Sequence, residues 1–215
     1  MEERNITVTL NKAKEWFNSG NATLKEIALQ AFDKDELAYN FKNITTFKKA
    51  CEALGLNYDN MACMARKIAT FSKASAAMFK LNIIRKALNL GQDLHLTKTS
   101  KGSWIYYPYN PFITKSSIYY KNDINSGKIE VIGKIKSEEK EYNVLGGYAV
   151  NSGNASLSGF DSSKGLSIAL ADVGFLGCAT REIAQHLGKY FGMLITEAKY
   201  GDIVNFEIIE AAHYI

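Results

Sequence analysis

The sequence lacks the motifs of common enzyme classes, and its 215 residues include few cysteine, proline and histidine residues. Cys51, Cys63 and Cys178 do not have the paired spacing of a zinc site, and their odd number argues against a disulfide scaffold. The three histidines are too dispersed to predict a metal site or a catalytic triad. No glycine cluster has the spacing of a phosphate-binding loop. These absences predict a protein that is not an enzyme and that binds no cofactor.

Long apolar runs are also absent, although 47% of the residues are hydrophobic and a sizeable core is therefore possible. No run approaches the ~20 apolar residues of a membrane-spanning helix. The first residues are polar and do not resemble a signal peptide. We therefore expect a soluble protein, made in a cytoplasm, with no membrane insertion.

Glycine, tyrosine and proline are scarce in the first half of the chain. Residues 1–98 contain three of the sixteen glycines, two of the twelve tyrosines and neither proline. They also carry fifteen Lys and Arg against ten Asp and Glu, whereas residues 99–215 carry eleven against twelve. The change predicts two domains, a helical module over residues 1–97 and an α+β module over residues 98–215.

Helical periodicity predicts four helical stretches in the first module. Thr46 is the predicted N-cap of the third stretch, and a Thr23–Glu26 capping box is predicted to start the second. The fourth stretch is long for one helix, so a bend or break is expected between Ser72 and Ser75. The predicted stretches are 10–18, 23–31, 47–54 and 60–89.

Period-two alternation and turn residues predict an antiparallel sheet in the second module. Thr180 is the predicted N-cap of a helix that reaches about Lys199, with an apolar stripe of Ile183, Leu187, Phe191 and Leu194. The stripe should pack on strands 166–175 and 128–136. Together these features predict an α+β fold, in which a small antiparallel sheet carries one packed helix. The predicted strands are 94–98, 103–107, 128–136, 141–150, 166–175 and 203–209, with a long loop over 151–164.

Three blocks of the chain resemble an uncharacterised protein family of gut Bacteroidales bacteriophages, including crAss-like phages, and of related prophages. The first block is Ala13-Lys-Glu-Trp-Phe-Asn-Ser-Gly-Asn21, followed by Leu24-Lys-Glu-Ile-Ala-Leu-Gln-Ala-Phe32. The second is Ile44-Thr-Thr-Phe-Lys-Lys-Ala-Cys-Glu-Ala-Leu-Gly55, and the third contains Gly174-Phe-Leu-Gly-Cys-Ala-Thr-Arg-Glu-Ile-Ala-Gln-His-Leu-Gly-Lys-Tyr-Phe191. The resemblance covers most of the chain and implies a virion component made in a bacterial host cytoplasm. It carries over no functional residues.

Acidic residues are absent between Asp59 and Asp93, while six basic residues lie there. On a straight helix, three of them at seven-residue spacing would form one stripe along nucleic-acid phosphates or an acidic partner. The other interpretation is a solvated face of a helical bundle, since no known DNA-binding motif accompanies them. The six residues are Arg66, Lys67, Lys73, Lys80, Arg85 and Lys86.

Aromatic residues concentrate around Pro108 and Pro111. Tyrosine and tryptophan combine a broad apolar face with a polar tip, which favours an interface role. The prolines predict an edge or a loop, because they cannot donate backbone hydrogen bonds to a sheet. The alternative is that these rings form the core of the module. The candidate interface residues are Trp104, Tyr106, Tyr107, Tyr109, Tyr119 and Tyr120.

These features predict a non-enzymatic structural or interaction component of a phage particle, located in the virion. Its partners would be other virion proteins in a homo- or hetero-oligomer. The alternative is a nucleic-acid-associated or host-interaction protein that acts through the basic helices of residues 60–90.

Overall fold

The computed structural model describes most of the chain. The described residues are 8–19, 21–90, 105–110, 112–114, 121–127, 130–146, 148–152 and 176–213. Among them the chain forms two compact units, residues 1–40 and 41–215.

The first unit contains helices α1 (Leu10–Asn18), α2 (Ala22–Ala31) and α3 (Lys34–Leu37). Its core consists of apolar side chains from all three helices. The predicted capping box at Thr23 is wrong, because α2 begins one residue before it. Asn21 is the N-cap, and its Oδ1 accepts a hydrogen bond from the Leu24 amide at 3.2 Å, as suits one of the best N-cap residues. The core residues are Ala13, Ala28 and Leu37, with Val8, Leu10, Trp16, Phe17 and Phe32 packed against them.

The second unit begins with a short 3-10 helix (Phe41–Asn43) and three α-helices. These are α4 (Phe47–Ala53), α5 (Tyr58–Ala69) and α6 (Lys73–Leu88). The predicted cap at Thr46 is confirmed, since its side chain accepts a hydrogen bond from the Lys49 amide. The helix also breaks, but the break starts two residues before the predicted Ser72–Ser75 segment. Thr70, Phe71 and Ser72 separate α5 from α6, and the Ser72 side chain caps α6.

A four-stranded antiparallel sheet follows, in the order β2 (Phe112–Thr114), β4 (Lys140–Gly146), β3 (Glu130–Ser137) and β6 (Glu207–Ala211). The predicted strands 128–136 and 141–150 correspond to β3 and β4, which form a hairpin with Glu138 in a left-handed conformation at its turn. Val144 and Leu145 are adjacent on β4, so they point to opposite faces of the sheet. Leu145 packs with Ile113 and Ile124, while Val144 packs with residues that include Met193. Ile124 belongs to the short helix α7 (Lys121–Asn125).

The prolines predict an edge or a loop, and the segment forms a regular strand at the edge of a two-stranded sheet. Strands β1 (Ile105–Tyr109) and β5 (Tyr148–Ser152) pair antiparallel along their whole lengths, with Pro108 opposite Ala149. On its other edge β1 exchanges hydrogen bonds between Tyr106 and Cys178, at 3.0 and 2.7 Å. Backbone N–H groups two residues apart point to the same edge, so the Pro108 nitrogen points away from β5. The missing N–H therefore costs no hydrogen bond between these two strands.

The predicted C-terminal helix is confirmed as α8 (Arg181–Tyr200), with Thr180 as its N-cap. It packs on α6 and on strands of both sheets, and nine of the twelve residues from Leu187 to Ala198 are buried. All four predicted stripe residues are buried. The residues of α8 that contact β3 include Gly192, Met193 and Lys189, the last through an ion pair with Glu130. The proposed contact with 166–175 lies outside the described residues.

The predicted α+β class is confirmed, with helices before an antiparallel sheet and a packed C-terminal helix. The predicted division at residues 97 and 98 falls in a segment outside the described residues and stays a prediction. Because α6 and α8 pack together, the helices from α4 onwards belong to the same compact unit as the sheet. The predicted strands at 94–98 and 166–175, and most of the predicted loop at 151–164, also lie outside the described residues.

Candidate interaction site

The turn between α5 and α6 meets the turn that follows α8. Ser72 Oγ donates a hydrogen bond to Asp202 Oδ2, and the Ala74 amide donates one to Asp202 Oδ1 at 3.2 Å. The carboxylate thus sits at the N-terminus of α6, where the helix dipole and unpaired amides favour a negative charge. The hydrogen bond from Ser72, followed by that from Ala74, holds the pKa of Asp202 below its usual value.

Gly201 fits the tight C-terminal end of α8, next to the α6 turn. A Cβ at Gly201 would lie 2.5 Å from the Glu197 carbonyl oxygen and 3.4 Å from the Ala74 nitrogen. The first distance is a steric overlap, so only glycine fits without movement of the backbone. Gly201 therefore ends α8 directly before Asp202, whose carboxylate contacts the N-terminus of α6.

Three apolar side chains are exposed at this meeting point. Phe71 is 93% exposed, Ile203 is 78% exposed and Val204 is 39% exposed. Phe71 immediately precedes Ser72 and Ile203 immediately follows Asp202, so the hydrogen bond between Ser72 and Asp202 brings together the two turns that carry them. We call Phe71, Ile203 and Val204 the Phe71 corner. Adjacent exposed apolar side chains of this kind usually mark an interaction site.

An open groove of about 560 Å³ lies beside the Phe71 corner. Four apolar residues line it, as do three carboxylates and one lysine. We call it the β6 groove, because β6 starts in its wall. The lining residues are Lys73, Glu197, Gly201, Asp202, Ile203, Val204, Asn205, Phe206, Glu207 and Ile208.

The structure does not bring the predicted basic residues into one stripe. Arg66 and Lys67 are on α5, whereas the other four are on α6, because the helix ends at Ala69 and restarts at Lys73. Lys80 and Arg85 are only partly exposed. Arg85 also has its Nε buried without a hydrogen-bond partner. The solvent-exposed members are Arg66, Lys67, Lys73 and Lys86.

Half of the predicted aromatic interface can be located. Tyr106 and Tyr107 are half-buried on β1, and Arg181 lies over the Tyr106 ring at 5.7 Å. The backbone of Tyr109 is in the same strand. Trp104, Tyr119 and Tyr120 lie outside the described residues. The interface role of these six residues stays a prediction.

Two buried titratable groups, Cys178 and His186, have the contacts of structural residues. Burial raises the pKa of the Cys178 thiol to about 12, so it stays protonated at neutral pH and is a poor nucleophile. The His186 ring is buried, and its Nε2 lies 2.7 Å from the Ile44 carbonyl oxygen. Burial lowers the pKa of His186. Because a carbonyl oxygen only accepts, Nε2–H donates this hydrogen bond. Both residues therefore fix the packing of neighbouring segments.

The described residues contain neither a metal-binding cluster nor a membrane-spanning helix. Within the described ranges, no three His, Cys, Asp or Glu side chains cluster closely enough to hold a metal ion. Among the helices in those ranges, none is both long and apolar enough to cross a membrane.

No family model, curated protein or solved structure shows significant similarity to this chain.

Removing the charge of Asp202 should destabilise the protein in a pH-dependent way. The folded-state pKa of Asp202 lies below its ordinary value of 3.8, so its contribution to stability is present above that value. The contribution is lost as pH falls through the folded-state pKa. Asp202→Asn should therefore unfold at a lower urea concentration than wild type at pH 7, and the difference should shrink below about pH 4. Glu139→Gln, in the exposed β3–β4 turn, is the matched control. An Asp202→Asn difference that is constant with pH would contradict the interpretation.

Proposed function

We propose that this protein is a non-enzymatic structural or interaction component of a phage particle that assembles through protein–protein contacts. The observation that carries the proposal is the exposure of Phe71. Burying a phenylalanine side chain contributes about 1.5–3 kcal/mol relative to leaving it in water. In the isolated chain Phe71 does not obtain this contribution, whereas a partner that covers the ring would supply it.

The neighbours of Phe71 support an interface in preference to an isolated surface residue. Ile203 and Val204 extend the apolar area, and exposed Arg66 and Lys67 lie on the preceding turn of α5. An apolar centre with a charged rim is the usual composition of a protein interface. The Phe71 corner therefore has the chemistry of an assembly contact.

The phage context rests on the sequence resemblance to proteins of gut Bacteroidales phages. In this proposal the partners are other virion proteins or further copies of the chain, and the location is the virion. The aromatic residues around Pro108 would provide a second contact surface. Cys178 and His186 support a role without catalysis, because their contacts are those of structural residues.

Purified particles of a phage that encodes this chain provide the test of location. Mass spectrometry of particles banded on a density gradient should detect the protein at a constant ratio to the major capsid protein. The ratio should persist after washing in high salt, which removes proteins that adhere only by charge. Detection only in the infected-cell lysate, and not in the banded particles, would contradict the proposal.

A nucleic-acid-associated role is the second candidate, because Arg66, Lys67, Lys73 and Lys86 are exposed. No acidic residue lies between Asp59 and Asp93 to offset them. Binding of this kind weakens steeply as salt concentration rises. A gel-shift series with single- and double-stranded DNA at increasing salt would separate this role from the first.

A further inference from the structure

We propose that two copies of this chain associate through the Phe71 corner, with Phe71 of each copy inserted into the β6 groove of the other. This inference rests on the proposed assembly function and specifies the partner. It is carried by two neighbouring features of one surface, an exposed ring and an open, partly apolar groove.

The groove is suited to an apolar side chain. Its volume of about 560 Å³ exceeds that of a phenylalanine side chain, and Ile203, Val204, Phe206 and Ile208 provide apolar lining. Phe206 and Ile208 also pack against the core cluster of β3, β4 and α8, so this wall of the groove is supported from behind. A supported wall gives the ring a defined place to bind.

The charges of the two features are complementary. Glu197, Asp202 and Glu207 line the groove together with Lys73, which leaves it with an excess of negative charge. Arg66 and Lys67 precede Phe71 by about one helical turn, and both are exposed. Within the part of the chain that the structure describes, neither forms an ion pair. Insertion of Phe71 would bring these cations to the acidic rim of the second copy, where opposite charges favour association.

The corner and the groove also share residues, which favours a symmetric pair. Ile203 and Val204 belong to both, and Lys73 in the groove is only two residues from Phe71. In a two-fold dimer the same patch is used twice, with residue i on residue j and j on i. A single two-fold axis would thus relate the two insertions, and both Phe71 rings would be buried in the opposite β6 grooves.

A second copy fits this surface better than a nucleic acid does. Ile203 and Val204 are aliphatic and have no ring on which a base can stack. The carboxylates of Asp202 and Glu207 line the neighbouring β6 groove and would repel phosphates. Both properties instead suit a protein surface with apolar and basic side chains.

Sedimentation equilibrium of the full chain over a range of concentrations tests the proposal. Wild type should fit a monomer–dimer equilibrium. Phe71→Ser should weaken dimerisation by roughly 30-fold or more, as expected for the truncation of a central interface residue. Glu207→Lys should also weaken it, because a cation would then face Arg66 and Lys67 of the second copy.

The matched control is Leu56→Ser. Leu56 is 36% exposed and lies before the start of α5, about 20 Å from Phe71 at 1.5 Å per helical residue. It should dimerise like wild type. Thermal unfolding at a concentration where wild type is monomeric should show that Phe71→Ser and Glu207→Lys remain folded.

Several results would overturn the dimer. A wild type that stays monomeric at all concentrations would do so, as would a dimer that Phe71→Ser does not weaken. A dimer that depends on Phe71 but not on Glu207 would place the ring somewhere other than the β6 groove. These results are independent of whether mass spectrometry detects the protein in purified particles. A failed dimer and a failed virion assignment can therefore be distinguished. A monomer that binds DNA through Phe71 would overturn the dimer in favour of the nucleic-acid role.

Discussion

Replacing Phe191 with alanine should reduce the free energy of unfolding by about 3–5 kcal/mol. Phe191 is 6% exposed in the middle of α8, the helix that packs on α6 and on both sheets. Truncation removes the transfer free energy of the ring and leaves a cavity that close-packed neighbours fill only in part. The loss is a large fraction of the stability of an ordinary domain. Urea unfolding followed by far-ultraviolet circular dichroism would measure it.

Phe71→Ala provides the matched control, because it deletes the same ring from a site that is 93% exposed. It should change the free energy of unfolding by less than about 0.5 kcal/mol. Both variants should be compared at low protein concentration, so that self-association does not contribute to the measured stability. A loss below 1 kcal/mol for Phe191→Ala would mean that α8 does not form the core of this unit.

The sequence predicted the elements whose signals are local. Thr46 and Thr180 were identified as caps because a threonine side chain accepts a hydrogen bond from an amide only three residues away. The strands that form β3 and β4 were predicted from period-two alternation, which places every second side chain on the same face. Such features depend on neighbours in the chain and not on the rest of the fold.

The association of α6 with α8 could not be predicted in the same way. It depends on residues more than a hundred positions apart, such as Ser72 and Asp202. The exposure of Phe71 was missed for a related reason. An aromatic residue in an apolar helical stretch is usually buried, and only its position directly before the Ser72 cap indicated a turn. The candidate site is therefore a product of tertiary packing, and its single local signal was the cap.

Gly188 and Gly192 are a further sequence signal, in this case for the close packing of α8. They are four residues apart, so they lie on one face of α8. A Cβ at Gly188 would lie 2.9 Å from the Pro108 Cβ. Asn110 Nδ2 donates hydrogen bonds to the Gly188 carbonyl oxygen at 3.0 Å and to the Leu145 carbonyl oxygen at 2.9 Å. The small residues let the helix approach β1 closely enough for Asn110 to connect α8 to β4.

Replacing Gly192 with alanine should test this close approach, and we expect a loss of about 2–4 kcal/mol in the free energy of unfolding. The new Cβ would lie 2.2 Å from the Ile132 Cδ1 and 2.6 Å from the Asn110 Nδ2. Ile132 is 1% exposed and has little space to move. Overpacking of a core costs about 1–3 kcal/mol, and displacement of the Asn110 amide would leave partly buried carbonyl groups unpaired at a similar cost.

An opposing effect makes the sign of this result informative. Alanine is favoured over glycine inside a helix by about 1 kcal/mol, so a helix with free space at Gly192 would be stabilised by the substitution. Gly188→Ala is the matched control, because its new Cβ would make a single close contact of 2.9 Å instead of two shorter ones. The order of stability in urea should therefore be wild type, then Gly188→Ala, then Gly192→Ala. A Gly192→Ala protein as stable as wild type would show that helix propensity outweighs the steric contacts, and that α8 is not held against Ile132 and Asn110 at this distance.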